Sequence, residues 1–147
     1  MTLVYWQKRK ITMRNLVLGL TAVTTFGILV YWALIFTGIF KVTELVPGYR
    51  NWFMSFPLAD AWIAVVSFLA FIFLLQDNDK AVLFGILTGS SLIFLGLYAL
   101  LYGINTGLIF NLNTDEIIEI AIKIYCLSAG SFFIAYFWDL GKQIIGK

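Results

Sequence analysis

Carboxylate and ammonium groups inside long apolar stretches are the residues of this chain best suited to chemistry. Asp60 follows Pro57 by three positions, and Glu119 precedes Lys123 by four within another apolar stretch. Ionisable side chains are costly inside a membrane unless they are paired or reached by water, so they are the first positions to consider for function. The i, i+4 spacing allows Glu119 and Lys123 to pair on one helix face.

These groups extend into a polar-to-small stripe of helical spacing, formed by Asp115, Glu119, Lys123, Cys126 and Gly130. With Asp60 at the same end of the predicted bundle, we expect a cavity there that holds a small amphipathic or lipid-like ligand between aromatic walls. The predicted ligand-binding residues are Asp60, Trp62, Glu119, Lys123, Tyr125 and Phe132.

A purely structural interpretation of the same residues remains open. Asp60 also suits the positive N-terminal end of a helix, and the long stem of Lys123 allows its charge to reach the membrane surface. A Glu119–Lys123 ion pair would then fix the helix packing, and the cavity would be absent.

Other catalytic and metal-binding chemistry has little support in the sequence. The chain has no histidine and a single cysteine, Cys126, and it contains no glycine-rich loop for phosphate. We therefore predict no metal, no cofactor and no catalytic constellation, with a carboxylate mechanism on Asp60 or Glu119 as the alternative.

The composition indicates a membrane protein. Of the 147 residues, 61% are apolar and only 12% charged, and the mean hydropathy is +0.92. A soluble domain needs about a quarter of its residues charged, whereas about 20 apolar residues cross a bilayer as a helix. We predict one all-α domain over residues 1–147, an antiparallel bundle of four transmembrane helices. The predicted spans are about 16–40, 58–76, 81–103 and 117–138.

The segments that join the predicted helices also contain residues that predict their structure. The polar link 76–80 makes the second and third helices antiparallel neighbours, and the apolar, aromatic loop 41–57 predicts a short interfacial helix that covers the bundle. Pro57 suits the first turn of the second helix. Asn113 with Glu116 three positions later is typical of a helix start, and Gly103 suggests where the third helix ends.

Basic residues predict the orientation. Seven Lys or Arg residues lie on one side if both termini are cytoplasmic, against three on the other, which favours a multi-pass protein of the cell membrane with this orientation. The basic N-terminal stretch serves this purpose, and nucleic-acid binding is not expected.

Small residues predict close helix packing. Gly85 and Gly89 are four apart, and Ala129, Gly130 and Ser131 form a cluster. The expected partners are membrane lipids, together with a second copy of the chain or a partner membrane subunit.

The segments Phe56-Pro57-Leu58-Ala59-Asp60-Ala61-Trp62 and Val30-Tyr31-Trp32 resemble small uncharacterised four-helix membrane proteins of prokaryotes. The general plan is also similar, in helix number and size over most of the chain, to DoxX-like proteins and to the EXPERA family of sterol isomerases and sigma-2-type receptors. In the EXPERA group, acidic side chains in a membrane-embedded cavity bind a cationic amine or a sterol intermediate. The resemblance implies that role for Asp60 and Glu119.

Two functional hypotheses follow. In the first, the protein is a non-enzymatic membrane module that binds a lipid-like ligand or a membrane partner. In the second, it is a small transporter or a lipid- or sterol-modifying enzyme that uses the outer polar cluster. Unpaired carboxylates in a deep cavity would favour the enzyme, whereas paired carboxylates would favour the module.

Overall fold

The computed structural model describes the backbone of residues 2–112 and 114–145, and the side chains from residue 12 onwards over the same ranges. Within these ranges there are five α-helices and one short 3₁₀ helix. They are α1 (Thr2–Phe36), α2 (Tyr49–Phe53), α3 (Pro57–Leu75), α4 (Lys80–Thr106), the 3₁₀ helix Leu108–Phe110 and α5 (Thr114–Ile145). The helices α1, α3, α4 and α5 are long and apolar enough to cross a membrane.

Long helices that follow one another in the sequence run antiparallel in the bundle. Arg14, near the start of α1, bonds to Asp77 beyond the end of α3 at 3.0 Å, whereas Trp32 near the end of α1 bonds to Asp60 in the first turn of α3. The turn 76–79 joins α3 directly to α4, as the polar link predicted. We call the end of the bundle that holds this turn the turn end, and the end that holds residues 37–56 and 107–112 the loop end.

Glycines bring α4 and α5 into close contact. A Cβ atom at Gly89 would lie 2.7 Å from the carbonyl oxygen of Gly130, and one at Gly130 would lie 2.8 Å from that of Gly89. One turn away, a Cβ at Gly85 would overlap the ring of Phe137, which is fully buried. The predicted role of Gly85, Gly89 and Gly130 in close packing is confirmed for these two helices.

Hydroxyl groups join α1 to its neighbours. Ser67 of α3 donates to the carbonyl oxygen of Thr21 at 3.0 Å, and the hydroxyls of Thr24 and Tyr125 lie 2.6 Å apart, which connects α1 with α5. Such bonds between helices satisfy polar atoms that lipid cannot. They also place the C-terminal end of α1 beside the polar part of α5.

The helix bounds differ from the predicted spans mainly at four points. The helix α1 begins at Thr2 rather than near 16. The helix α1 ends at Phe36 rather than near 40, because Gly38 has a φ of 77°, which is outside the helical region. The helix α4 continues past Gly103 to Thr106, and Gly107, with a φ of 74°, ends it instead. The helix α5 runs to Ile145, beyond the predicted 138. The predicted N-cap, Asn113, lies outside the described residues.

Candidate functional site

A buried ion cluster occupies the first three turns of α5. The Lys123 ammonium lies 2.9 Å from Glu116 Oε1 and 3.1 Å from Glu119 Oε2. Lys123 is 4% exposed and Glu116 is fully buried, so this lysine does not extend to the surface. The predicted pairing of Glu119 with Lys123 is confirmed, and Glu116 is a second partner on the same helix face.

Gly103 of α4 provides the space for the lysine. A Cβ atom on this residue would lie 3.4 Å from Lys123 Nζ and 3.9 Å from Glu116 Oε1. The glycine backbone therefore forms one wall of the cluster. This explains how Gly103 sits inside a helix that continues for three more residues.

The short helix α2 adds a tyrosine to the cluster. The Tyr49 hydroxyl donates to Glu119 Oε1, and Tyr49 is 4% exposed. The Glu44 carboxylate accepts hydrogen bonds from the backbone N–H groups of Gly48 at 2.6 Å and Arg50 at 3.0 Å, which fixes the start of α2. A carboxylate is favourable at that position because the first N–H groups of a helix have no partner within it.

Aromatic stacking holds α2 against α4. The rings of Trp52 and Tyr102 are nearly parallel, with centroids 3.8 Å apart and planes 7° from each other. Phe56 packs edge-on against Trp52 at 4.8 Å. The predicted short helix in the loop 41–57 is therefore present, and it covers the loop end of the bundle.

Only one of the two carboxylate oxygens of Asp60 has a hydrogen-bond partner among the described residues. Its Oδ2 accepts a hydrogen bond from Trp32 Nε1 at 2.8 Å, while Oδ1 is buried and has no hydrogen-bond partner in that part of the chain. The residue lies in the first turn of α3, where a negative charge is also favourable, and its side chain is 9% exposed. An unsatisfied buried acceptor costs about 1–3 kcal/mol, so Asp60 retains binding capacity that the protein does not use.

Asp60 lines a small cavity, which we call the inner cavity, of about 70 Å³. The cavity has room for a few water-sized groups. Its lining residues are Tyr31, Trp32, Trp52, Phe53, Phe56, Asp60, Leu95, Ala99, Glu119, Ile122 and Lys123. Five of them are aromatic, and one of these, Trp52, has a buried Nε1 without an acceptor. The walls thus include one acceptor and one donor that the protein leaves without partners.

A second, larger cavity, which we call the outer cavity, adjoins the first and has a volume of about 270 Å³. Tyr31, Phe53 and Glu119 line both cavities. The rest of the outer cavity is mainly apolar, with Lys41, Thr43 and Asp115 as further polar residues; Asp115 itself is exposed and within 3.5 Å of the Thr43 hydroxyl. Together they form a small, largely aromatic cavity with three charged side chains in its wall, next to a larger cavity of mixed lining.

The six predicted ligand-binding residues divide into two groups. Asp60, Glu119 and Lys123 meet at the inner cavity. Trp62 does not join them: it is 53% exposed, because two residues along a helix point in directions about 200° apart. Tyr125 bonds to Thr24, and Phe132 packs against the buried core about 13 Å further along α5 than Lys123, so neither lines a cavity.

Several residues of the site are not apparent from the predicted set. Glu116 lies two helical turns before Lys123, a spacing that places both on one face, yet the predicted stripe began at Asp115. Trp32 and Tyr31 lie in the segment that carries the resemblance, which is their only signal. Tyr49 has none, because its position depends on how the loop folds over the helices.

The charges in this region do not balance. Asp60 and Glu119 place two carboxyl groups in the wall of the inner cavity, and among the described residues Lys123 is the single ammonium there. Buried charge of one sign is costly unless a proton or a cation compensates it. Among residues 2–112 and 114–145, no group of three His, Cys, Asp or Glu side chains is arranged to hold a metal ion.

Comparison with protein-family models, with curated proteins and with solved structures gives no match for this chain. The geometry and charge of the two cavities are therefore the observations that bear on function.

Proposed function

We propose that the protein is a non-enzymatic membrane module that binds an amphipathic ligand at the loop end of its bundle. The ligand has a protonated amine as its head, which occupies the inner cavity, and an apolar body in the outer cavity. The observation that carries this proposal is the unbonded Oδ1 of Asp60 in the wall of an aromatic cavity.

Hydrogen bonding supports a ligand head with an N–H donor. Asp60 Oδ1 lacks a donor, and an ammonium group would supply one in a charge-assisted bond. A hydroxyl next to the amine would accept from Trp52 Nε1, which has no partner either. Both buried groups would then be satisfied by one ligand head.

Charge and aromatic content support a positive head. Two carboxyl groups, Asp60 and Glu119, line the inner cavity with the ammonium of Lys123, and a bound cation offsets the excess negative charge. The faces of Trp and Tyr rings attract ammonium groups, with a contribution of about 0.5–2 kcal/mol each. Trp32, Trp52 and Tyr31 provide such rings.

The sizes of the two cavities support an amphipathic ligand. About 70 Å³ accommodates a small polar head, and the adjoining 270 Å³ has mainly apolar walls for a short chain or ring. The surrounding membrane is the first source of such molecules. Glu119 is paired with Lys123 and Tyr49, and Asp60 accepts from Trp32 beside a cavity of only about 70 Å³, so the arrangement favours binding over a carboxylate mechanism at either residue.

The proposal is tested with three probes of equal chain length: hexylammonium, hexanol and hexyl sulfate. Each is titrated into the protein in lipid nanodiscs at neutral pH, and tryptophan fluorescence reports binding because Trp32 and Trp52 line the cavity. We expect hexylammonium to bind with the highest affinity. Asp60→Asn should weaken it by about 10- to 150-fold, the equivalent of one hydrogen bond to a charged group.

The control variant is Asp139→Asn, which removes the same charge from an exposed residue of α5 near the turn end. It should bind hexylammonium as the wild type does. Equal affinity for the three probes, or an unchanged affinity in Asp60→Asn, would refute the amine site.

We also propose that the turn end faces the cytoplasm, so that both termini and the turn 76–79 are cytoplasmic. The distribution of Lys and Arg supports this orientation. In a Cys126→Ala background, Asn51→Cys in α2 and Asn78→Cys in the turn are labelled on intact cells with a membrane-impermeant maleimide. Labelling of position 51 alone is the expected result, and labelling of position 78 alone would reverse the orientation.

A further inference from the structure

We propose that a groove at the loop end, which shares Ile35, Phe40, Lys41 and Val42 with the outer cavity, binds the phosphate group of an anionic phospholipid. The groove lies between the segment after α1 and the short helix α2, and its volume is about 410 Å³. Its lining residues are Ile35, Phe36, Gly38, Phe40, Lys41, Val42, Arg50 and Met54. Two of the eight are basic and none is acidic.

The two basic side chains have no counter-ion within the part of the chain that the structure describes. Salt bridges there involve Arg14, Lys123 and Lys142, but neither Lys41 nor Arg50. Glu44, which lies between the two in sequence, is bound to the backbone N–H groups at the start of α2 and does not line the groove. The groove therefore presents uncompensated positive charge.

Phosphate is the anion that suits this pair of cations. An arginine guanidinium binds two phosphate oxygens at once, and a lysine adds a compact positive charge beside it. Both Lys41 and Arg50 are exposed, so a headgroup reaches them without removing any contact within the protein.

The apolar walls indicate that the phosphate belongs to a lipid. Phe36 is 63% exposed, Phe40 48% and Met54 40%, and these side chains lie beside the two cations. The groove is located where α1 ends and just before α3 begins, which is the level of the lipid headgroups if these helices span the bilayer. Acyl chains would cover the apolar residues while the phosphate contacts Lys41 and Arg50.

The test compares lipid retention in two double variants. Wild type, Lys41→Gln/Arg50→Gln and the control Lys80→Gln/Lys142→Gln are extracted from membranes of equimolar phosphatidylglycerol and phosphatidylcholine, and native mass spectrometry counts the retained lipids. The control removes the same charge from the turn end. Each basic residue near a membrane surface contributes about fivefold to the affinity for anionic lipid. The affinity of the groove variant for phosphatidylglycerol should therefore fall about 25-fold, and less of this lipid should be retained.

Retention of phosphatidylcholine should change less than twofold in all three proteins. Equal loss of phosphatidylglycerol in the two double variants would overturn the proposal, since the effect would then be general electrostatics. Displacement of the lipid by millimolar inorganic phosphate would also overturn it, because the groove would then select a free anion. Because Lys41 also lines the outer cavity, Asp60→Asn distinguishes the two proposals: it should weaken the binding of hexylammonium and retain phosphatidylglycerol as the wild type does.

Discussion

Removing the ammonium group of Lys123 should destabilise the bundle strongly. In Lys123→Met, the fully buried Glu116 and the partly buried Glu119 lose the cation that lies 2.9 and 3.1 Å from them. Breaking a buried ion pair by deleting one partner costs about 3–5 kcal/mol, because it leaves an uncompensated charge in the interior. For a chain of this size, that corresponds to a melting temperature roughly 6–20 °C lower.

The assay is thermal unfolding in detergent, followed by tryptophan fluorescence, with Lys142→Met as the matched control. Lys142 forms an exposed pair with Asp139 at 3.8 Å, and such pairs contribute at most about 1 kcal/mol. Adding Glu116→Gln to Lys123→Met should recover part of the loss, since it removes one buried charge. A Lys123→Met variant as stable as Lys142→Met would refute the structural importance of the cluster.

Three further tests concern the packing. Gly89→Ala should lower the melting temperature because its Cβ meets a backbone carbonyl at 2.7 Å, whereas Gly27→Ala, with open space around it, should be neutral in the same assay. Thr24→Val and Tyr125→Phe form a double-mutant cycle across a 2.6 Å contact, and the coupling measured by denaturant unfolding should be about 0.6 kcal/mol and below about 1.7; a coupling of zero would contradict the contact. Arg14→Gln should cost about 1 kcal/mol or less by the same unfolding measurement, since its bond to Leu74 O at 2.9 Å is only partly buried.

The lengths of the apolar runs predicted the fold to a large extent, because apolar length decides which segments can cross a bilayer. The four long helices, the tight turn after α3 and Pro57 at the start of that helix follow from local signals alone. The ends of α1 and α4 do not, since each depends on which glycine adopts a positive φ. The sequence gives no reason to prefer Gly103 or Gly107 as the end of α4. In the structure, of these two only Gly107 adopts a positive φ, and it ends the helix.

The sequence predicted the part of the candidate site that depends only on the spacing of residues within one helix. Glu119 and Lys123 are one turn apart, so their pairing follows from helix geometry. The aromatic walls depend on tertiary packing instead. Trp62 is only two residues from Asp60 in sequence, but Trp32, 28 residues away, is the tryptophan that donates a hydrogen bond to the Asp60 carboxylate.

The most direct test of the amphiphile site is a structure determined in lipid nanodiscs without added ligand. We predict elongated density that begins beside Asp60 Oδ1 in the inner cavity and continues past Glu119 into the outer cavity. A closed inner cavity, with Asp60 Oδ1 bonded to a protein group, would contradict the proposed function.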